Sequence, residues 1–111
     1  MLSFTEIPEN KYAVLVDLKI KGTCKTQFKE EMLRNAKGSV EQEEGCLVFD
    51  VCSSDDGLTY FLYEIYTSPD AFDAHLKTSH FQHFDAVTRD WIEWKDVRKL
   101  SLLPTETEIG L

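Results

Sequence analysis

The chain has few cysteines and no long apolar run, and both shortages restrict its class. Three cysteines in 111 residues, without a Cys-x-x-Cys pair, favour free thiols in a reducing compartment over a disulfide framework. No apolar stretch approaches the roughly 20 residues that span a bilayer, and the first residues lack the layout of a signal peptide. We therefore expect a cytoplasmic protein that does not bind membranes.

Basic residues are also scarce, since 12 lysines and arginines stand against 20 acidic residues and give a net charge of −8. Such a chain repels phosphate backbones, which argues against nucleic acid as a partner and favours a small-molecule ligand. The sequence contains no Gly-rich phosphate loop, no G-x-S-x-G elbow and no Rossmann fingerprint. Hydride, ATP and serine-hydrolase chemistry therefore have no local support, and we expect no cofactor.

The pattern of apolar residues predicts one domain over residues 1–111, with a core at 11–103 and a tail at 104–111. Lys11–Ile20 alternates between two faces, as a strand does, and the same pattern recurs at 46–52, 58–67 and 94–103. The loop 53–57 between the second and third strands has the composition of a hairpin turn.

Two helical regions separate these strands. In the first, Thr23 is a candidate cap, and apolar residues follow at helical spacing at Phe28, Met32, Ala36 and Val40. The second begins at Ser68, which precedes Pro69 and an acid. Ser79 and Gln82 then form a second capping signal, so this region is predicted to be broken in two.

The resulting order, β-α-β-β-α-β, predicts an α+β ferredoxin-like fold with an antiparallel four-stranded sheet and its helices on one face. The first three strands carry apolar side chains on both faces. A sheet with one face in water instead alternates apolar with polar residues, so a second copy is the simplest cover. We expect a homodimer with the sheets packed face to face.

Candidate chemistry concentrates between Tyr60 and His83. Glu64 lies inside an aromatic strand, so a buried carboxylate there needs a partner, for which His75 or His80 is suitable; the alternative is a surface glutamate at a strand end. His80 follows the Ser79 cap, where the helix dipole favours a neutral imidazole, and the alternative is a packing residue. His80 and His83 match no compact metal motif with His75 or Glu64, so we predict no metal.

Two segments, EEGCLVFDV and YEIYTSPDAFDAHLKTSHFQHF, resemble the antibiotic biosynthesis monooxygenase family over about residues 11 to 103. The stretch from Asn35 to Val40 that leads into the first segment is similar to the branch with quinol monooxygenases and the isomerase of phosphorylated autoinducer-2. The resemblance implies a dimeric α+β barrel with a pocket between sheet and helices. It also implies oxygen chemistry without flavin, metal or haem, in which the substrate supplies the electrons.

The same resemblance implies a set of site residues. Polar candidates for catalysis are Asn35, Glu64, His75 and His80, and candidates for the aromatic walls that bind substrate are Phe49, Tyr63 and Phe81. The leading hypothesis is a cofactor-independent monooxygenase of a small quinol or enolisable aromatic compound. One alternative is an isomerase or tautomerase of a small hydroxy-dicarbonyl compound, with or without a phosphate group, and another is a non-catalytic ligand-binding dimer. For the isomerase, the candidate phosphate-binding residues are Lys95, Arg98 and Lys99.

Overall fold

The computed structural model describes residues 10–104, which form a four-stranded antiparallel sheet and three helices. The strand order across the sheet is β2-β3-β1-β4, which confirms the predicted ferredoxin-like α+β fold. Residues 105–111 of the predicted tail lie outside the described range. The elements are β1 (Lys11–Ile20), α1 (Lys25–Gln42), β2 (Cys46–Ser53), β3 (Thr59–Tyr66), α2 (Pro69–Leu76), α3 (Ser79–Thr88) and β4 (Ile92–Leu102).

The central strand β1 separates the two faces of the sheet. Its even-numbered residues from Val14 to Ile20 are buried in the core, whereas Leu15, Asp17 and Lys19 on the other face are partly exposed. This confirms the predicted alternation, in which strand side chains point to opposite faces. The helices therefore cover the face that carries Val14.

The predicted hairpin between β2 and β3 is confirmed. The Asp56 carboxylate accepts a hydrogen bond from the Ser54 hydroxyl at 2.6 Å and another from the Leu58 backbone N–H at 3.0 Å. Gly57 follows with a φ of 73°, a backbone conformation that glycine adopts at no steric cost.

The start and the buried face of α1 differ from the prediction. A 3₁₀ turn at Gly22–Cys24 precedes the helix, so Thr23 lies within that turn and does not cap. Val40 is 48% exposed, whereas Ser39 is fully buried. The reason is geometric, because a step of four residues overshoots one helical turn by about 40°, and repeated steps move away from the core.

The second helical region is broken as predicted, but its second cap is Thr78 and not Ser79. Ser68 caps α2 by accepting a hydrogen bond from the Ala71 N–H at 3.1 Å, as expected. The Thr78 hydroxyl donates to the His75 carbonyl at 2.7 Å and accepts from the Phe81 N–H at 3.2 Å. One hydroxyl thus closes α2 and opens α3, which moves the start of α3 one residue earlier.

Gly45 lies where the chain enters β2 against α2, and this contact gives a testable prediction. A Cβ added at residue 45 would lie 2.5 Å from the Ala71 Cβ, so Gly45→Ala should destabilise the fold by about 1–3 kcal/mol, the usual cost of overpacking. Urea unfolding followed by circular dichroism measures the change.

Gly22→Ala is the matched control, since the nearest atom to its added Cβ is the Leu58 Cδ2 at 3.8 Å. We expect its stability to change by less than about 1 kcal/mol. Equal losses in the two variants would show that the contact with Ala71 is not the cause.

The face of the sheet away from the helices combines apolar and charged side chains. Trp94 and Leu100 of β4 lie on it with about half of their surfaces exposed, and Tyr63 of β3 joins them. Arg98 pairs there with Asp17 at 3.6 Å. Among the helices at residues 10–104, none has the length and apolar character needed to cross a membrane.

Candidate active site

A cavity of about 110 Å³ lies between the sheet and the helices. An engineered cavity of roughly 150 Å³ in another protein holds benzene, so this space is on the scale of one aromatic ring. The polar groups at its wall belong to Asn35, Glu64, His75 and Lys95. The apolar lining includes Val14, Val16, Leu18 and Leu62 of the sheet and Met32, Phe72, Phe81 and Phe84 of the helices.

The structure brings most of the sequence-predicted site residues to this cavity. Asn35, Glu64 and His75 line it together with the aromatic residues Phe49 and Phe81. Tyr63 does not, because β3 directs it to the opposite face of the sheet, across from Leu15. The prediction that Tyr63 belongs to the walls of this cavity is therefore wrong for a single subunit.

Asn35 is presented by α1 and is only 3% exposed. Among residues 10–104, its Oδ1 has no hydrogen-bond partner. A buried acceptor without a partner costs about 1–3 kcal/mol, so a ligand hydroxyl that donates to this oxygen would recover that free energy. Asn35 is thus suited to recognise a hydroxyl group inside the cavity.

Glu64 of β3 is buried, and its Oε1 accepts a hydrogen bond from the Tyr66 hydroxyl at 2.6 Å. The prediction that a histidine would be its partner is wrong, because Tyr66 is two residues away on the same strand face. Burial raises the pKa of Glu64 to about 7. The carboxyl group can therefore either donate or accept a proton near neutral pH.

The raised pKa of Glu64 predicts a pH dependence of stability. Between its ordinary pKa of 4.5 and its folded pKa near 7, the folded protein keeps a proton that the unfolded chain releases. The free energy of unfolding therefore falls as pH rises through this window, and Glu64 contributes a loss of about 3 kcal/mol. Glu64→Gln should remove this component in urea unfolding at about pH 5 and about pH 8.

Burial lowers the pKa of His75, which makes the free energy of unfolding rise with pH and so opposes the effect of Glu64. The quantity to compare is therefore the difference in the free energy of unfolding between the variant and the wild type at each pH. Glu93→Gln, which changes an exposed carboxylate of β4, serves as the control and should keep the wild-type slope. If Glu64→Gln also keeps that slope, Glu64 titrates normally in the folded state.

A second group of polar side chains adjoins the cavity at the end of α1. The Glu43 Oε2 lies 2.9 Å from the His75 Nδ1 and 2.5 Å from the His80 Nε2. The buried Ser39 hydroxyl lies 3.3 Å from the same His75 nitrogen and 3.4 Å from the same His80 nitrogen. One carboxylate thus orients two imidazoles, and the three ligand atoms lie within 4.8 Å of one another, which makes them candidate metal ligands.

Sequence reasoning missed Glu43 and Ser39, although a signal for both was present. Asn35, Ser39 and Glu43 are spaced four residues apart, so the first two share one stripe of α1 and the third follows as the C-cap of the helix. Asn35 is a predicted site residue, and the residues four and eight positions later, Ser39 and Glu43, complete the polar group.

His80 lies beside the cavity and not in its wall. It lines a groove outside the cavity, with Asn35 and Phe84 shared between the two spaces. Since α3 begins at Ser79, His80 is the second residue of the helix, in contact with the Glu43 carboxylate. The prediction that placed it directly after a Ser79 cap and beside Glu64 is therefore wrong in both respects.

The other predicted residues separate in space. Lys95 lines the cavity, whereas Arg98 pairs with Asp17 on the opposite face and the Lys99 Nζ lies 5.5 Å from the centre of the Phe72 ring. Burial raises the pKa of the Cys46 thiol to about 12, which keeps it protonated and unreactive as a nucleophile.

Comparison with known proteins extends this description. The model of the family described as antibiotic biosynthesis monooxygenase matches residues 11–87. A solved structure of a candidate member from Nitrosomonas europaea is 27% identical, with a TM-score of 0.78, and the alignment covers 84% of this chain and 90% of that one. None of the curated proteins compared with the chain matches it.

Two further structures of candidate members share the fold at lower identity. The one from Caulobacter crescentus CB15 is 23% identical, with a TM-score of 0.79, and covers 86% of this chain and 92% of its own. The one from Bacteroides thetaiotaomicron VPI-5482 is 20% identical, with a TM-score of 0.82, and its alignment covers 87% of this chain and 93% of its own.

Proposed function

Because this chain belongs to the antibiotic biosynthesis monooxygenase family, we propose that it is a cofactor-independent monooxygenase of a small quinol or enolisable aromatic compound. The observation that supports this most is the cavity of about 110 Å³ between sheet and helices, in which a histidine, an amide and a carboxyl group meet apolar walls. A substrate of about one ring in size would place its hydroxyl groups among these side chains.

His75 is the proposed base. An ionised Glu43 accepts a hydrogen bond from the Nδ1–H of His75, which leaves the lone pair of a neutral ring on Nε2. Glu43 is thus a positioning residue that fixes the tautomer, and Nε2 takes the proton from the substrate. This assigns the main role to His75 and not to His80, which shares Glu43 from the outer groove.

Asn35 is proposed to hold the oxygen on which negative charge develops. Its amide can accept a hydrogen bond from a neutral hydroxyl and donate one to an oxyanion. A preorganised donor of this kind is typically worth about 10²- to 10³-fold in rate.

The oxygen step then needs little from the protein beyond exclusion of water. An enolate formed at a ring CH₂ gives its electrons to O₂; one oxygen atom becomes the new carbonyl, and the other leaves as water with the two hydrogens. The substrate carbon is oxidised and O₂ is reduced, so no further reductant is required. The apolar lining from Leu62, Phe72, Phe81 and their neighbours supports this by keeping the anion away from solvent.

A single pair of assays tests the proposal. Oxygen uptake is measured with a panel of one-ring and two-ring quinols, beside proton exchange with deuterated solvent on hydroxy-diones. We expect uptake without added cofactor, with smaller rings preferred. Proton exchange without oxygen uptake contradicts the oxygenase. Activity in neither assay favours a non-catalytic ligand-binding protein.

A specific observation favours an isomerase as the second candidate. Glu64, with its pKa near 7, and His75 both line the cavity, and either group could carry a proton from one carbon to another. Lys95 lines the same cavity and would attract a phosphate. The proton-exchange assay tests this candidate directly.

Family members are typically dimers, and we propose that this chain forms a homodimer through the face of the sheet away from its helices. The half-exposed Trp94 and Leu100 on that face support the proposal, as does the exposed Tyr63. A second copy would bury these side chains.

A further inference from the structure

We propose that Glu43, His75 and His80 form a binding site for a divalent first-row transition-metal ion. Their side chains present two imidazole nitrogens and one carboxylate oxygen within 4.8 Å of one another. Two histidines and one carboxylate are a ligand set that suits zinc, cobalt and iron and leaves further positions open.

The distances fit a metal centre after small movements. Tetrahedral bonds of about 2.0–2.1 Å place neighbouring ligand atoms about 3.3 Å apart. The Glu43 Oε2 now lies 2.9 and 2.5 Å from the two imidazole nitrogens, so an ion would push the oxygen away from each nitrogen by less than about 1 Å and draw the two nitrogens, which lie within 4.8 Å of each other, closer together. The Ser39 hydroxyl, at 3.3 and 3.4 Å from the same nitrogens, adds an oxygen to the group.

The electrostatics of Glu43 support a cation. Its side chain is only 10% exposed, and within residues 10–104 its Oε1 has no hydrogen-bond partner. Both imidazoles meet the other oxygen, so one buried carboxylate oxygen is left without a hydrogen-bond donor, which is costly. A divalent ion held by this carboxylate would compensate the charge.

The ion can reach the three side chains through the outer groove, and one of its ligands is held in place by the core. The outer groove, of about 320 Å³, reaches His80, while His75 packs between Phe72 and Phe81 and is nearly fully buried. One ion would join the residue that caps the end of α1 to ligands from α2 and α3, so binding should also raise the unfolding temperature.

Metal binding has a consequence that rests on the proposed function. When the His75 Nδ1 binds a metal, the proton of the neutral ring lies on Nε2, and that nitrogen can no longer accept a proton from the substrate. The metal-bound and the proton-abstracting forms of His75 therefore exclude each other, and the ion acts as a reversible inhibitor.

The site itself is tested without substrate. Co²⁺ is titrated into the whole, chelator-treated protein, and visible d–d absorption reports nitrogen and oxygen coordination. We expect stoichiometric binding whose affinity falls by at least about 10- to 100-fold in Glu43→Gln and in His80→Ala. His83→Ala is the matched control, because His83 lies on the same helix but pairs with Glu31, and it should bind as the wild type does.

Absence of the cobalt spectrum, or equal affinity in all three variants, would overturn the metal site. A second measurement concerns only the consequence for His75. Oxygen uptake should stop when Zn²⁺ saturates the site and return when a chelator removes it. Unchanged uptake by protein with a saturated site would overturn the mutual exclusion, whereas failure of the proposed function alone would leave the cobalt spectrum intact.

Discussion

Replacing His75 by glutamine is expected to lower turnover per folded molecule by about 10²- to 10⁴-fold, the range typical of a lost general base. Glutamine keeps a polar side chain against Glu43 but has no nitrogen that takes a proton near pH 7. Initial rates of oxygen uptake measure the loss, and far-ultraviolet circular dichroism measures the folded fraction by which they are divided. Dividing by the folded fraction is needed because His75 is buried against Phe72 and Phe81, so its replacement also disturbs the packing of the core.

The other two histidines are the controls for this prediction. His83→Gln should keep wild-type turnover, since the side chain is 55% exposed and pairs with Glu31 outside the cavity. His80→Gln should lower turnover less than His75→Gln does, because His80 acts only through Glu43. Full turnover in folded His75→Gln would exclude this base and move the search to Glu64.

Replacing Val16 by aspartate is expected to abolish folding. Val16 is buried on the helix side of β1, where its cross-strand neighbours Leu62 and Val97 offer a carboxylate no hydrogen bond. Such a substitution commonly costs more than about 4 kcal/mol, which is a large part of the roughly 5–15 kcal/mol that stabilises a domain. Circular dichroism and urea unfolding measure the outcome.

The neighbouring substitution Leu15→Asp separates folding from assembly. Leu15 points to the opposite face of β1, across from Tyr63 and Arg98, so a carboxylate there can pair with the arginine in a single subunit. We expect folded protein that light scattering reports as a monomer, while the wild type is a dimer. A dimeric Leu15→Asp variant would contradict assembly through this face.

Much of the fold could be predicted because strand alternation and caps are local signals. The bounds of β1, the hairpin at Ser54 to Leu58 and the cap at Ser68 each depend on a few neighbouring residues. The errors also have local causes. Thr78 and Ser79 are both good caps, and the choice depends on which hydroxyl can reach the His75 carbonyl, which requires the geometry of two helices.

The site was harder to predict because its contacts join distant residues. Residues 43, 75 and 80 meet only after the end of α1 comes together with α2 and α3, and the four-residue spacing from Asn35 to Glu43 does not show that this carboxylate faces two imidazoles. The alternation of β3 predicts that Glu64 is buried, but its partner is Tyr66, two residues along the same strand face, and not a histidine of a helix.

The break between α2 and α3 decides where the two histidines point. In one continuous helix, side chains five residues apart diverge by about 140°, so His75 and His80 would face different neighbours. The joint at Lys77 and Thr78 turns the chain, and both rings converge on one carboxylate. A change of one residue in the length of this joint would therefore redirect one of the two rings while every side chain of the site stayed the same.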